Sequence, residues 1–162
     1  MAYKKKTWQE KLAGPPGFPK IISLAPGLPC ARALQKAGAK PGDTVVLVPP
    51  EEVYEMMAQV PRGKLITLGE ICRHLASHHN AQYCCTLTTG IAIVTAANAA
   101  VEAGETLPYW RTIKNNGELN TKYPGGIAQH RQLLEKEGFH IRQSGKKAFV
   151  QDFMRHLFQP AA

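Results

Sequence analysis

The stretch from Pro108 to Gly138, PYWRTIKNNGELNTKYPGGIAQHRQLLEKEG, decides the reading of this 162-residue chain. It opens on a proline and two aromatic residues, Tyr109 and Trp110, followed by Arg111 and, two residues on, Ile113. Asn116-Gly117 predicts a turn, because glycine adopts backbone angles closed to other residues. Gly125-Gly126 permit close backbone approach where a side chain would block it. The residues that follow predict a helix ending at Gly138.

This order resembles the active-site segment of the alkylguanine-DNA alkyltransferases (methylated-DNA-protein-cysteine methyltransferases) and their alkyltransferase-like relatives. The family pattern runs P-C-H-R-V, then a glycine turn, Y-x-G-G, and a helix carrying L-L-x-x-E-G. Pro108, Arg111, Ile113, Gly117, Tyr123, Gly125, Gly126, Leu133, Leu134, Glu137 and Gly138 fit it if one residue is inserted before Tyr123.

The chain departs from the family in its chemistry. The acceptor cysteine falls on Tyr109 and the histidine on Trp110. Transfer of an alkyl group needs a thiolate, formed by a neighbouring base that takes the thiol proton. A phenol with a pKa near ~10 is a poor substitute, and indole can only donate a hydrogen bond. Glu137, which in the family completes the relay to the histidine, is left with nothing to polarise. The resemblance therefore implies a non-catalytic, alkyltransferase-like DNA-binding protein. It would sense alkylated or damaged bases in DNA repair without moving the alkyl group. The remnant of the active site would be Tyr109, Trp110, Arg111, Tyr123 and Glu137. Two arrangements stay open: an aromatic cage that stacks on a flipped base, or side chains that fill the old pocket.

The implied fold is mainly α with a small β component, a winged helix-turn-helix-like alkyltransferase C-terminal domain in residues 44–138. A basic, Pro/Gly-rich arm (1–43) would precede it, and a β-hairpin with a short helix (139–162) would follow. Thr67-Leu-Gly-Glu70 reads as a capping box opening a helix to about His78. Leu87 to Ala103 predicts the second helix, capped by Thr88 or Thr89, with Gly104 beyond its end and Ile91, Val94, Ala97 and Val101 inward. In the family this helix enters the minor groove, and an arginine near its start fills the space of the flipped base. Between His74 and Arg111 this chain has neither Arg nor Lys. Leu68 stands where the family has a tyrosine that presses on the phosphate. The DNA-facing set implied is Thr67, Leu68, Thr88, Thr89, Asn98, Gly125 and Gly126, with Arg142, Lys146 and Lys147 on the hairpin.

Working outward, Lys4 to Ala13 predicts a short helix stopped by Gly14-Pro15-Pro16-Gly17. Pro19, Pro26 and Pro29 predict an irregular stretch, and the arm would be mobile, surface-wrapped, or a tether to phosphates. Thr44 to Val48 predicts a buried strand. Val53, Met56, Met57 and Val60 form one stripe of a helix. A net charge of +8 favours anionic partners, double-stranded DNA first, plain or alkylated. No apolar run approaches the ~20 residues of a membrane span, and no apolar segment follows Lys4-Lys5-Lys6 as a secretory signal requires. Cys30, Cys72, Cys84 and Cys85 lack framework spacing, which predicts reduced thiols in the cytoplasm. His74, His78 and His79 lie near Cys72, Cys84 and Cys85 in sequence without completing a zinc spacing, so no metal is expected, nor any other cofactor. The alternatives are a protein-interaction module on a reused scaffold, or a thiol-dependent transferase using Cys84 or Cys85 near Thr88 and His79.

Overall fold

The computed structural model describes residues 4–160. The arm begins with α1 (Trp8–Lys11), a single turn shorter at both ends than Lys4 to Ala13. Thr7 and Glu10 form a reciprocal capping box around it. Its amides at Trp8 and Gln9 are held by the Glu102 carboxylate at 3.2 and 3.1 Å, so a long-range contact decides where it starts. The expectation of an irregular stretch through Pro19, Pro26 and Pro29 is corrected. β1 (Lys20–Ser23) and α2 (Ala31–Lys36) form between and after them. Proline removes a donor only at its own position, and all three lie outside these elements.

β2 (Thr44–Leu47) is the predicted strand, with Val45 and Val46 fully buried. β1 pairs with it antiparallel, Ile21 opposite Val46. α3 (Pro50–Ala58) then starts on a proline, whose missing N–H costs nothing in a first turn. Val53, Met56 and Met57 face the core, as their spacing predicts.

The helix-turn-helix follows. β3 (Ile66–Thr67) leads into α4 (Leu68–His78), where the Thr67 hydroxyl accepts from the Glu70 amide at 3.3 Å. The box is only half made, because the Glu70 carboxylate turns to Arg73 instead. β4 (Tyr83–Cys84) joins β2 in parallel, and α5 (Thr86–Ala103) is the long central helix. Its cap is Cys85, whose sulfur accepts from the Thr88 amide at 3.4 Å, so the expected Thr88 or Thr89 cap is corrected. Its inward face is Ala92, Ile93, Ala96, Ala97 and Ala100. Ile91 (62% exposed) and Val101 (52%) face outward, against expectation. The helix is apolar on nearly every side, so spacing alone does not select a face. The alanines win because they let α3 and α4 pack closely. With Glu102 as its one charged residue, α5 is also long and apolar enough to cross a membrane by length and composition, which corrects the count of apolar runs. Packing against α1, α3 and α4 accounts for that apolarity.

A 3-10 turn at Tyr109–Arg111 precedes β5 (Thr112–Ile113), which pairs in parallel with β3. The Asn116-Gly117 turn is required: Gly117 has φ +86° and a Cβ there would sit 2.5 Å from the Phe153 ring. α6 (Gly126–Lys136) is followed by the predicted hairpin of β6 (Ile141–Ser144) and β7 (Lys147–Val150). The final predicted helix is one 3-10 turn, Phe153–His156, with Phe153 and Leu157 packed inward.

Candidate nucleic-acid interface

The aromatic residues in place of the acceptor chemistry are packed, not caged around a cavity. Tyr109 is 5% exposed and Tyr123 3%. Their rings meet edge-on at 5.1 Å, and Trp110 lies edge-on to Tyr109 at 5.5 Å. Burial pushes both phenols above their usual range, which removes them further from nucleophilic use. The Tyr123 hydroxyl donates to the Thr112 carbonyl at 2.8 Å. Of the two open arrangements, the old pocket is filled. Outside it remains a depression of about 420 Å³ between Val101, Tyr109, Pro124, Gly125 and Gln129.

Glu137 is not idle, which corrects the expectation that it has nothing to polarise. It accepts from the Trp110 indole N–H, from Arg111 Nε at 3.1 and 3.0 Å, and from the Gly63 amide at 3.0 Å. Burial acts to raise its pKa. The Gly63 amide, the indole and the guanidinium outweigh that, so the net shift is downward. Arg111 also donates to the Val60 carbonyl at 2.7 Å. The former relay residue now fastens the 3-10 turn to the loop after α3.

His130 belongs to the same site and escaped the sequence reading. It is fully buried. Its Nδ1 accepts from the Asn120 amide at 3.1 Å, and its Nε2 then donates to the Trp110 carbonyl at 2.8 Å. Desolvation pulls its pKa down to about 4 against the pull of that carbonyl, so the ring is neutral. The signal was present: His130 lies three residues after Ile127 and four before the buried Leu134, on the inward stripe of α6.

The implied DNA-facing residues separate into two groups. Thr67 and Thr89 are buried, and Thr89 Oγ1 lies 3.3 Å from the Cys84 sulfur. Leu68 packs against the main core, and the Thr88 hydroxyl donates to the Cys85 sulfur. Asn98 Nδ2 donates to the Val94 carbonyl at 2.9 Å and the Lys122 carbonyl at 3.4 Å, tying α5 to the loop before α6. Gly125 and Gly126 both have positive φ, at +79° and +69°. Arg142, Lys146 and Lys147 are exposed on the hairpin, with Arg142 stacked 5.0 Å over Phe149.

What spacing did not show is a groove of about 520 Å³ along the first half of α5. Leu87 (49% exposed) and Ile91 project beside it, and Trp8 closes one side. Lys11 from α1 and Lys114 and Lys122 from the connection between β5 and α6 line it. They supply positive charge to a helix that has none of its own. Cys84 and Cys85 are each only 3% exposed, though Cys84, with Cys72, lines a separate cavity of about 610 Å³ beside α2 and α4. A hydrogen bond from Cys72 lowers the pKa of the Cys84 thiol against the effect of burial.

Three comparisons bear on this geometry. The family described as 6-O-methylguanine DNA methyltransferase, DNA binding domain, matches residues 49–139. A DNA base-flipping protein of Vibrio parahaemolyticus is 27% identical over 97 residues, covering 60% of this chain and 86% of the relative. Among solved structures, S. pombe Atl1 in complex with damaged DNA containing O6-carboxymethylguanine superposes with a TM-score of 0.51 at 22% identity, covering 68% of this chain and 94% of that one. S. pombe ATL in complex with DNA gives 0.52 at 21% identity, with the same coverage.

Proposed function

The chain belongs to the 6-O-methylguanine DNA methyltransferase DNA-binding-domain family, and on that premise we propose that it binds double-stranded DNA as a non-catalytic, alkyltransferase-like sensor of altered bases. The observation that carries this reading is Tyr109: the residue in the acceptor's place is buried and packed between Trp110 and Tyr123. The scaffold is kept while the nucleophile is gone. The Vibrio relative is named for base flipping, and the S. pombe structure holds an O6-alkylated guanine. Both support recognition without transfer.

The contact surface is the groove along α5. Lys11, Lys114 and Lys122 meet phosphates and set the register, while Leu87 and Ile91 reach the bases. Apolar side chains in the minor groove act by wedging between base steps, which unstacks them and lowers the cost of extruding a nucleotide. This gives the chain an apolar wedge at the helix start in place of a cationic finger. An extruded base would rest against the depression over Tyr109 and Pro124, stacked rather than enclosed.

The test is fluorescence anisotropy of matched duplexes, plain and carrying one O6-alkylguanine, across a salt series. Tighter binding of the alkylated duplex is expected, with log K falling linearly in log salt. Replacing Lys11, Lys114 and Lys122 together by alanine should reduce that slope by roughly 2–3. Equal binding of both duplexes would reduce the function to backbone contact. No binding at low salt would overturn it.

A further inference from the structure

We propose that Glu52, His78 and His79 form a binding site for a divalent transition metal of the zinc class, joining the first turn of α3 to the end of α4. The reading of DNA contact plays no part in this. Sequence spacing did not show the site because its carboxylate comes from 26 residues before the histidines. Glu52 lies in the first turn of α3, His78 is the last residue of α4, and His79 is its C-cap. One ligand atom from each falls within 4.8 Å of the other two.

Two further observations point to a cation. His79 Nε2 already lies 2.7 Å from Glu52 Oε1, but the second carboxylate oxygen, Oε2, is buried with no hydrogen-bond partner. A simple His–Glu pair uses one oxygen and leaves the other orphaned, at a desolvation cost that a metal bond would remove. The C-terminus of α4 carries the negative end of its helix dipole at the two histidines, which favours a cation there and opposes the positive end of α3 beside Glu52.

The donor set selects the metal. Two imidazoles and one carboxylate suit zinc, nickel or copper better than calcium or magnesium, which favour all-oxygen shells. Three protein ligands leave at least one position for water. Ligand atoms around zinc stand roughly 3.3 Å apart, given bonds of about 2.0–2.1 Å. His78 is exposed, so its side chain can rotate to close the 4.8 Å span. Metal binding at His79 Nε2 takes the neutral ring as the tautomer that carries its proton on Nδ1.

The experiment is isothermal titration of the full chain with zinc chloride, paired with the visible spectrum of the cobalt form. One equivalent should bind, and cobalt should show the ligand-field bands of a low-coordinate nitrogen/oxygen site without thiolate charge-transfer bands. His78→Ala is the cleanest variant, since that ring is exposed and its loss leaves the fold in place. It should weaken zinc at least about tenfold, which corresponds to ~1.4 kcal/mol. Glu52→Gln should do the same, and His74→Ala should change nothing. Absence of binding to the wild-type chain would overturn the assignment. So would binding that His78→Ala and Glu52→Gln leave untouched, or cobalt bands of thiolate character, which would move the metal to the cysteines.

Discussion

Glu137 shows what becomes of a side chain once the reaction that surrounded it has gone. Its carboxylate is the common acceptor for Trp110, Arg111 and Gly63, and its side chain is only 4% exposed. Removing one member of a buried ion pair strands the other charge, so Glu137→Ala should cost about 3–5 kcal/mol. A lower urea midpoint at unchanged m-value checks this. The motif made Glu137 visible in the sequence, but its new role could not be read there. Gly63 lies 74 residues away along the chain, and no local pattern encodes that encounter. His130 was legible in principle, since its position on the α6 stripe marks it as inward. A polar residue type on an apolar stripe was the signal.

At the scale of the element, α5 separates what periodicity can settle from what it cannot. Helix α3 offers one apolar stripe and its buried face follows from spacing. Helix α5 is apolar on nearly every side, and only tertiary packing chooses the alanine side. The choice can be tested by a pair of neighbours. Ile93→Ala should cost about 2–4 kcal/mol because Ile93 fills the core, whereas Ile91→Ser should stay within about 0.5 kcal/mol. Thermal melts of the two variants distinguish the faces. Ile91→Ser should nevertheless weaken DNA binding in the anisotropy assay. Gly125 sets the entry to α6: its φ of +79° is unfavourable for any side chain, and a Cβ would stand 2.5 Å from that of Gln129. Gly125→Ala should therefore lose about 1–2 kcal/mol, measured by urea unfolding. Here the Y-x-G-G pattern and the backbone geometry agree, because a turn requirement is local.

For the molecule as a whole, acid stability turns on His130. Its ordinary pKa of 6.5 applies when the chain unfolds, while the folded value is about 4. Between these two the unfolded chain takes up a proton that the folded chain refuses. His130 therefore contributes fully above pH 6.5, and that stability is lost as pH falls from 6.5 to 4. The loss amounts to about 3 kcal/mol. Comparing unfolding midpoints of the wild type and His130→Gln across this range isolates it, and parallel curves would refute it. The central architecture was legible because its signature is contiguous. The docking of the arm was not, since Glu102 meets Trp8 and Gln9 across more than 90 residues. The packing of Tyr109 has a consequence for descent. Restoring cysteine at that position would excavate the core between Trp110 and Tyr123 and still lack a base, while the old acid is occupied by Arg111. The path back to a transferase would cross variants that are both less stable and still inert, so the loss of the acceptor works as an evolutionary ratchet.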